Sequence, residues 1–308
     1  MSRWSVLAVV GVAAVLFLAG RFLVWPFVTV REDLLPGAAP DIELQPRAWE
    51  VGDDAVRFAV VGDTGTGGRN ALRVGGQIAE AYRERPFGLL VHTGDLVYYG
   101  DLASRYEQVV ERPFGPLLDA GVAIRPVLGN HDFDYVATMR LLERLGLPGR
   151  YYSFRSGPVE FFMLDSTPPE FGGDGGDAQL AWLAGRLEAS TARWRVVVVH
   201  HPPYSSGHHG SLEAAQRRLV PVLAEHGVDI VFSGHDHHYE RTTPQRGVTY
   251  VVTGGGAKRT GVSGAPFTAA SADRLHFLVA DVEGDRMSVE AIDDRGETFD
   301  RFTVRARS

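Results

Sequence analysis

Over most of its length the chain repeats one pattern: a short β-branched run, a Gly/Asp/His cluster, then residues at helical spacing. Val56–Val61 reads as a strand ending in Gly62-Asp63-Thr64-Gly65, and Arg69–Arg85 follows with apolar positions at Leu72, Ile78 and Ala79. Phe87–His92 is a second strand, ending in Gly94-Asp95. Ala123–Leu128 is a third, ending in Gly129-Asn130-His131-Asp132, with a helix expected over Tyr135–Leu145. Strands at Tyr151–Phe154 and Glu160–Leu164 flank the turn Ser156-Gly157-Pro158, and a Gly172–Gly176 loop leads to a helix over Ala178–Leu187. Trp194–Val199 is apolar apart from Arg195 and ends at His200; Leu212–Glu225 is helical; Val228–Phe232 ends in Gly234-His235. From there the pattern is mostly strands, at Val248–Val252, Leu275–Val282, Met287–Ile292 and Phe299–Val304, with turns at Gly284-Asp285 and Gly296-Glu297. Buried strands alternating with helices, and antiparallel strands added late, define an α/β domain.

The N-terminus breaks this pattern. Trp4–Gly20 is a run of 17 residues without a charge, and apolar character resumes after Arg21 as far as Trp25. With Arg21 snorkelling, that length spans a bilayer, so residues 1–30 are read as a transmembrane anchor. The alternative is a signal peptide, removed to give a secreted protein. Its apolar region is ordinarily shorter and ends in small residues, whereas Ala19-Gly20 is followed by bulky ones. Arg3 ahead of the run places the remainder outside the cytoplasm, periplasmic or extracellular. Residues 31–53, rich in Pro and Gly and without a period, form a linker, and 54–308 is a single domain with no internal repeat.

Composition narrows the chemistry. Of 308 residues none is cysteine, which excludes disulfides, thiolate catalysis, iron–sulfur clusters and Cys-bearing zinc sites. Any metal is held by N and O ligands. A net charge of -7 gives no footprint for a nucleic-acid backbone, and nothing in the residues points to a protein partner. Lys258 is the one lysine among arginines, which reads as compositional bias.

Five strands end in Gly-bracketed Asp, Asn or His: Asp63, Asp95, Asn130, His200, and His235 with His237. In α/β sheets ligands bind beyond the carboxyl ends of strands, so these groups converge. Asp63 or Asp95 alone is an ordinary turn residue. Asn130-His131 at a strand end is more specific, and His235 and His237 share one face of an extended segment. Asp63, Asp95, Tyr98, Asn130, His200, His235 and His237 are too many donors for one ion that keeps a position open for substrate. Two ions about 3.5–4 Å apart, bridged by a carboxylate, use them, activating a hydroxide and clamping a phosphoryl oxygen. The donor mixture suits Fe, Mn or Zn.

In order, Gly62-Asp63-Thr64-Gly65, Gly94-Asp95-Leu96-Val97-Tyr98, Gly129-Asn130-His131-Asp132, Val197-Val198-Val199-His200 and Gly234-His235-Asp236-His237 resemble the five motifs of calcineurin-like metallophosphoesterases. Gly65, where most of that family has histidine, and Tyr98, three residues after Asp95, resemble the purple acid phosphatase branch. His201-Pro202-Pro203-Tyr204 and His238-Tyr239-Glu240-Arg241 also look like that branch. The resemblance implies an α/β/β/α sandwich of two mixed sheets flanked by helices. It assigns Asp63, Asp95, Tyr98 and His237 to an Fe(III) ion bound by tyrosinate. Asp95, Asn130, His200 and His235 go to a second ion, Zn(II), Mn(II) or Fe(II), with Asp95 bridging. His131 becomes a non-ligand acid or substrate-orienting group, and His208 or His209, with His209 preferred, a contact to phosphate.

The expected activity is hydrolysis of a small phosphate ester, foremost a monoester, by metal-held hydroxide. Alternatives are a diesterase or nucleotide hydrolase on the same site, or a non-catalytic, metal-stabilised surface binding protein. Rim candidates are the Gly172–Asp177 loop, the Tyr204–His209 loop and the Lys258–Arg259 pair, with Arg259 either gripping phosphate or lying in a plain solvated turn. Asp132 is expected to hold His131.

Overall fold

The computed structural model describes residues 42–43, 54–98, 102–132, 143–167 and 174–307. The N-terminal apolar run, most of the linker, most of the helix expected over Tyr135–Leu145, and the start of the Gly172–Gly176 loop lie outside these residues. Among the described residues no helix is long and apolar enough to cross a membrane.

Fourteen strands are described: β1 Ile42–Glu43, β2 Ala55–Val61, β3 Leu89–His92, β4 Ala123–Pro126, β5 Tyr152–Ser156, β6 Val159–Leu164, β7 Trp194–Val199, β8 Ile230–Ser233, β9 Tyr239–Thr242, β10 Thr249–Thr253, β11 Thr268–Ala272, β12 His276–Glu283, β13 Arg286–Asp293 and β14 Thr298–Arg305. They form an eight-stranded sheet, ordered β1-β5-β6-β7-β8-β10-β9-β11, and a six-stranded sheet, ordered β14-β13-β12-β2-β3-β4. The helices are α1 Arg69–Glu84, α2 Leu102–Tyr106, a π turn at Glu107–Glu111, α3 Arg112–Asp119, α4 Asp174–Ala189 and α5 Glu213–Glu225.

The period of two in the central strands explains the layering. Phe58, Val60, Val196, Val198, Phe161 and Met163 belong to a core between the two sheets, where the Phe58 and Phe161 rings meet edge to face at 5.1 Å. The alternate residues face outward. Ala59 and Val61 pack with Val74 and Ile78 of α1 and Phe114 and Leu117 of α3. Val197 and Val199 pack with Leu183 and Leu187 of α4 and Leu219 and Leu223 of α5. Strands buried on both faces read as continuous apolar runs, as Trp194–Val199 does. The result is the expected α/β/β/α sandwich of two mixed sheets.

Four differences from the sequence pattern have local causes. Ile42–Glu43, inside the expected linker, pairs in parallel with Phe154 and Arg155 at the edge of β5. Helix α4 begins at Asp174 rather than Ala178, so its glycines are helical rather than part of the loop. The α2–α3 segment contains Gly115 and Pro116, breakers in isolation, yet it buries Val109, Val110, Phe114 and Leu117 against the sheet. Strands β9 and β11 add the edge of the larger sheet and carry little alternation.

What this architecture positions is a row of loops. β2, β3 and β4 are adjacent and parallel in one sheet, in a register that sets Val61 beside His92 and His92 beside Pro126. β7, β8 and β10 are adjacent and parallel in the other. The polar clusters follow the carboxyl ends of these strands.

Candidate metal centre

Three of the loops place a residue other than glycine in the left-handed region: Asp63 at φ 61°, Asp95 at φ 56° and His235 at φ 69°. Such conformations cost on the order of 1–3 kcal/mol each and persist only where the surroundings enforce them. Here backbone hydrogen bonds tie loop to loop. Asp63 N–H donates to Gly94 O (3.0 Å), Gly65 N–H to Asp95 O (3.0 Å) and Tyr98 N–H to Gly65 O (3.1 Å). Gly129 is required by close approach, since a Cβ there falls 2.1 Å from Asp95 Oδ1.

Two groups of donors result. In the first, Tyr98 Oη lies 3.2 Å from Asp63 Oδ1 and 2.9 Å from His237 Nε2, and His237 Nε2 lies 3.6 Å from Asp63 Oδ1. In the second, His200 Nδ1 donates to Thr93 O (2.8 Å), which leaves a lone pair on Nε2. That Nε2 faces Asn130 Oδ1 at 3.1 Å and Asp95 Oδ1 at 3.5 Å. Three electron-pair donors pointed at one another are the arrangement a cation completes. His235 borders both groups, its N–H donating to Asp63 Oδ1 (3.2 Å) and its ring centroid 5.2 Å from that of His200. Asp63, Asp95 and His200 offer donor atoms within 4.8 Å of one another, and so do His200, His201 and His235.

The electrostatics agree with this donor set. Burial, then the Asp95 charge, holds the Asp63 carboxyl well above its ordinary value; burial pushes Asp95 up to about 6. Burial, then Asp95, pushes Asp132 up to about 7. Burial lowers His200 and His237 to about 4 and His201 to about 3, so their imidazoles are neutral lone-pair donors at physiological pH. Crowded carboxylates beside neutral imidazoles, without a thiolate, fit hard to borderline divalent and trivalent cations. The residues present hold two clustered metal sites, consistent with a dinuclear centre.

His131 is exposed, its N–H donates to Asp95 Oδ1 (3.0 Å), and its ring packs on Tyr98 with centroids 4.8 Å apart. Asp132 accepts Val97 N–H (3.0 Å) and Gly129 N–H (2.9 Å), so its visible work is tying the loops after β3 and β4 together. Of the histidine pair, His209 packs on the His235 ring at 4.3 Å, and His208 packs on His209. Arg259 turns away from the metal groups: its side chain is 55% exposed and lies 3.9 Å from Asp273. Together with Asn70, Arg73 and Arg274 it lines a separate, charge-paired cleft of about 400 Å³. Asp177, expected at a rim loop, lies in α4 and pairs with Arg218.

His201, absent from the expected ligand set, stands beside His235 with centroids 4.3 Å apart while its Nδ1 is 2.8 Å from Ser166 Oγ. Doublet neighbours at a strand end give no signal of which ring faces inward. Thr93, whose carbonyl orients His200, carries no sequence signal at all.

Residues 56–239 match the model of the calcineurin-like phosphoesterase family. The chain belongs to that family, a class of metal-dependent hydrolases of phosphate esters. Within it the chain is related to the purple acid phosphatases. It is 31% identical over 235 residues to purple acid phosphatase 17 of Arabidopsis thaliana, covering 67% of this chain and 70% of that one. Among solved structures, GAP50, the anchor in the inner membrane complex of Plasmodium, superposes with TM-score 0.74 at 18% identity, over 82% of this chain and 90% of that one. Purple acid phosphatase PPD1 of yellow lupin gives 0.70 at 20% identity, over 81% of this chain and 53% of that chain. These two similarities are of fold.

Proposed function

We propose that the protein is a purple-acid-phosphatase-type phosphomonoesterase acting on small phosphate esters. The observation that carries this reading is the Tyr98 hydroxyl set between Asp63 and His237, beside a second group centred on His200. Asp63, Tyr98 and His237 hold one ion, Asn130, His200 and His235 the other, and Asp95 serves both. When bound, the pair supplies an activated water and neutralises charge on the phosphoryl oxygens. His131, solvent-facing and anchored through its backbone to Asp95, gives a proton to the leaving oxygen. His209, seated on His235, orients the phosphate.

Burial and the Asp63 and Asp95 charges hold the Tyr98 phenol far above its ordinary value, so a strong Lewis acid is needed to take it as phenolate. That argues for Fe(III) in the first position, with Zn(II), Mn(II) or Fe(II) in the second. The concentrated metal-loaded protein is expected to show a visible charge-transfer band that Tyr98→Phe abolishes. A panel of monoesters, diesters and nucleotides tests the activity; a colourless protein with two zinc ions and full turnover refutes the iron assignment alone, and no turnover across the panel refutes the enzyme reading.

We also propose that residues 1–30 anchor the protein with its domain outside the cytoplasm, on the strength of the uncharged Trp4–Gly20 run. The full-length chain is then expected in the membrane pellet at high salt. Recovery of a soluble exported form starting near the end of that run refutes the anchor.

A further inference from the structure

The one lysine of the chain does not sit at random. Lys258 Nζ lies 3.1 Å from the centroid of the Tyr98 ring, and the charges that act on it are those of Asp95 and Asp63. Its backbone is held on a rigid platform. The run Gly254-Gly255-Gly256 leaves β10 threaded through the site, where a Cβ at Gly254 falls 2.3 Å from Asp236 O and one at Gly256 falls 2.2 Å from Gly62 O. Gly256 N–H donates to Gly62 O (3.0 Å), Asn70 Nδ2 donates to Ala257 O (3.1 Å), and Thr260 N–H donates to His237 O (2.9 Å). The segment bearing Lys258 is therefore pinned to the loop of Asp63, to the N-terminal turn of α1 and to a metal-site histidine. Its neighbour Arg259 points the other way, towards Asp273.

We propose that the Lys258 ammonium grips a non-bridging oxygen of the substrate phosphate and thereby selects phosphomonoester dianions over diesters. The proposal rests on the phosphatase reading above. A monoester presents three non-bridging oxygens and about two negative charges near neutral pH. A diester presents one fewer oxygen and one fewer charge, with a carbon substituent in their place. A compact ammonium with three donors on a flexible stem supplies a third cation beside the two metal positions, and the extra oxygen and charge of the monoester are what it can bind.

The test is Lys258→Gln in the full-length, metal-loaded protein, with Lys258→Arg as the conservative variant. Metal stoichiometry, the dissociation constant of inorganic phosphate by calorimetry, and kinetics on a monoester and a diester are measured together. In Lys258→Gln both metals are expected to remain, phosphate to bind roughly 10–100-fold more weakly, and the monoester KM to rise by a similar factor. The diester constants are expected to change little, and Lys258→Arg to recover part of the loss. Unchanged phosphate affinity with both metals in place overturns the proposal, as does an equal loss on monoester and diester. Because phosphate binding is read without turnover, a protein that hydrolyses nothing defeats the phosphatase reading while the Lys258 contact is still decided.

Discussion

Asp95→Ala is expected to lose the metal pair and hydrolysis together, the largest effect of any single substitution. Asp95 Oδ1 faces His200 Nε2 at 3.5 Å and accepts the His131 N–H at 3.0 Å, and the Asp95 carboxylate lies within 4.8 Å of a donor atom of Asp63. On the proposed assignment Asp95 serves both ions, so removing it leaves two incomplete sites. Metal analysis after dialysis reads the loss directly, and full occupancy in the variant refutes the shared role. Far-UV circular dichroism separates a lost site from a lost fold, and Asp95→Asn, which preserves shape, gives a second reading.

The same carboxylate makes metal binding pH-dependent in the unaltered protein. Without metal, burial raises Asp95 to about 6 and, with the Asp95 charge, holds Asp63 well above its ordinary value, so below about pH 6 a proton must leave before a cation binds. His200 and His237, lowered to about 4, are already neutral there and add no such competition. Affinity is therefore expected to be nearly constant above about pH 7 and to fall as pH drops through about 6, with proton release on binding in that lower range. Calorimetry in buffers of different ionisation enthalpy measures it. A flat profile between about pH 5 and 8 shows that these carboxylates are not ligands.

His131→Ala is expected to keep both metals while lowering the rate by roughly 10²–10⁴-fold for esters with poor leaving groups. The loss should be smaller for an activated aryl phosphate, whose departing oxygen needs no proton. The geometry separates these outcomes: His131 is tied to the centre through its backbone N–H to Asp95, a bond alanine retains, while its ring lies on Tyr98 and faces solvent. Equal rate losses for poor and activated leaving groups refute proton donation and leave a purely positioning role.

Much of this was legible in the chain alone. The near-continuous apolar runs Val56–Val61 and Trp194–Val199 specify strands buried on both faces, because each alternate side chain needs its own apolar layer; the layers are the inter-sheet core and the outer helices. The Gly-bracketed Asp, Asn and His residues at strand ends specify the donor chemistry, since carboxylate, amide and imidazole at those turns have few other uses together. Side-chain direction was decided only by the tertiary structure. His208 or His209, and Lys258 or Arg259, are adjacent pairs that composition and spacing cannot separate, whereas the family resemblance alone favours His200 over His201. Long-range contacts orient them: Thr93 O on His200 Nδ1, the His235 ring against His209, and the Gly62 and His237 backbones that pin the Lys258 segment. The same holds for Gly115 and Pro116, which local propensity excludes from a helix and which burial of Phe114 and Leu117 against the six-stranded sheet places in one. Local sequence sets which residues can bind metal and where strands end; which ring of a doublet faces the centre depends on partners dozens to hundreds of residues away.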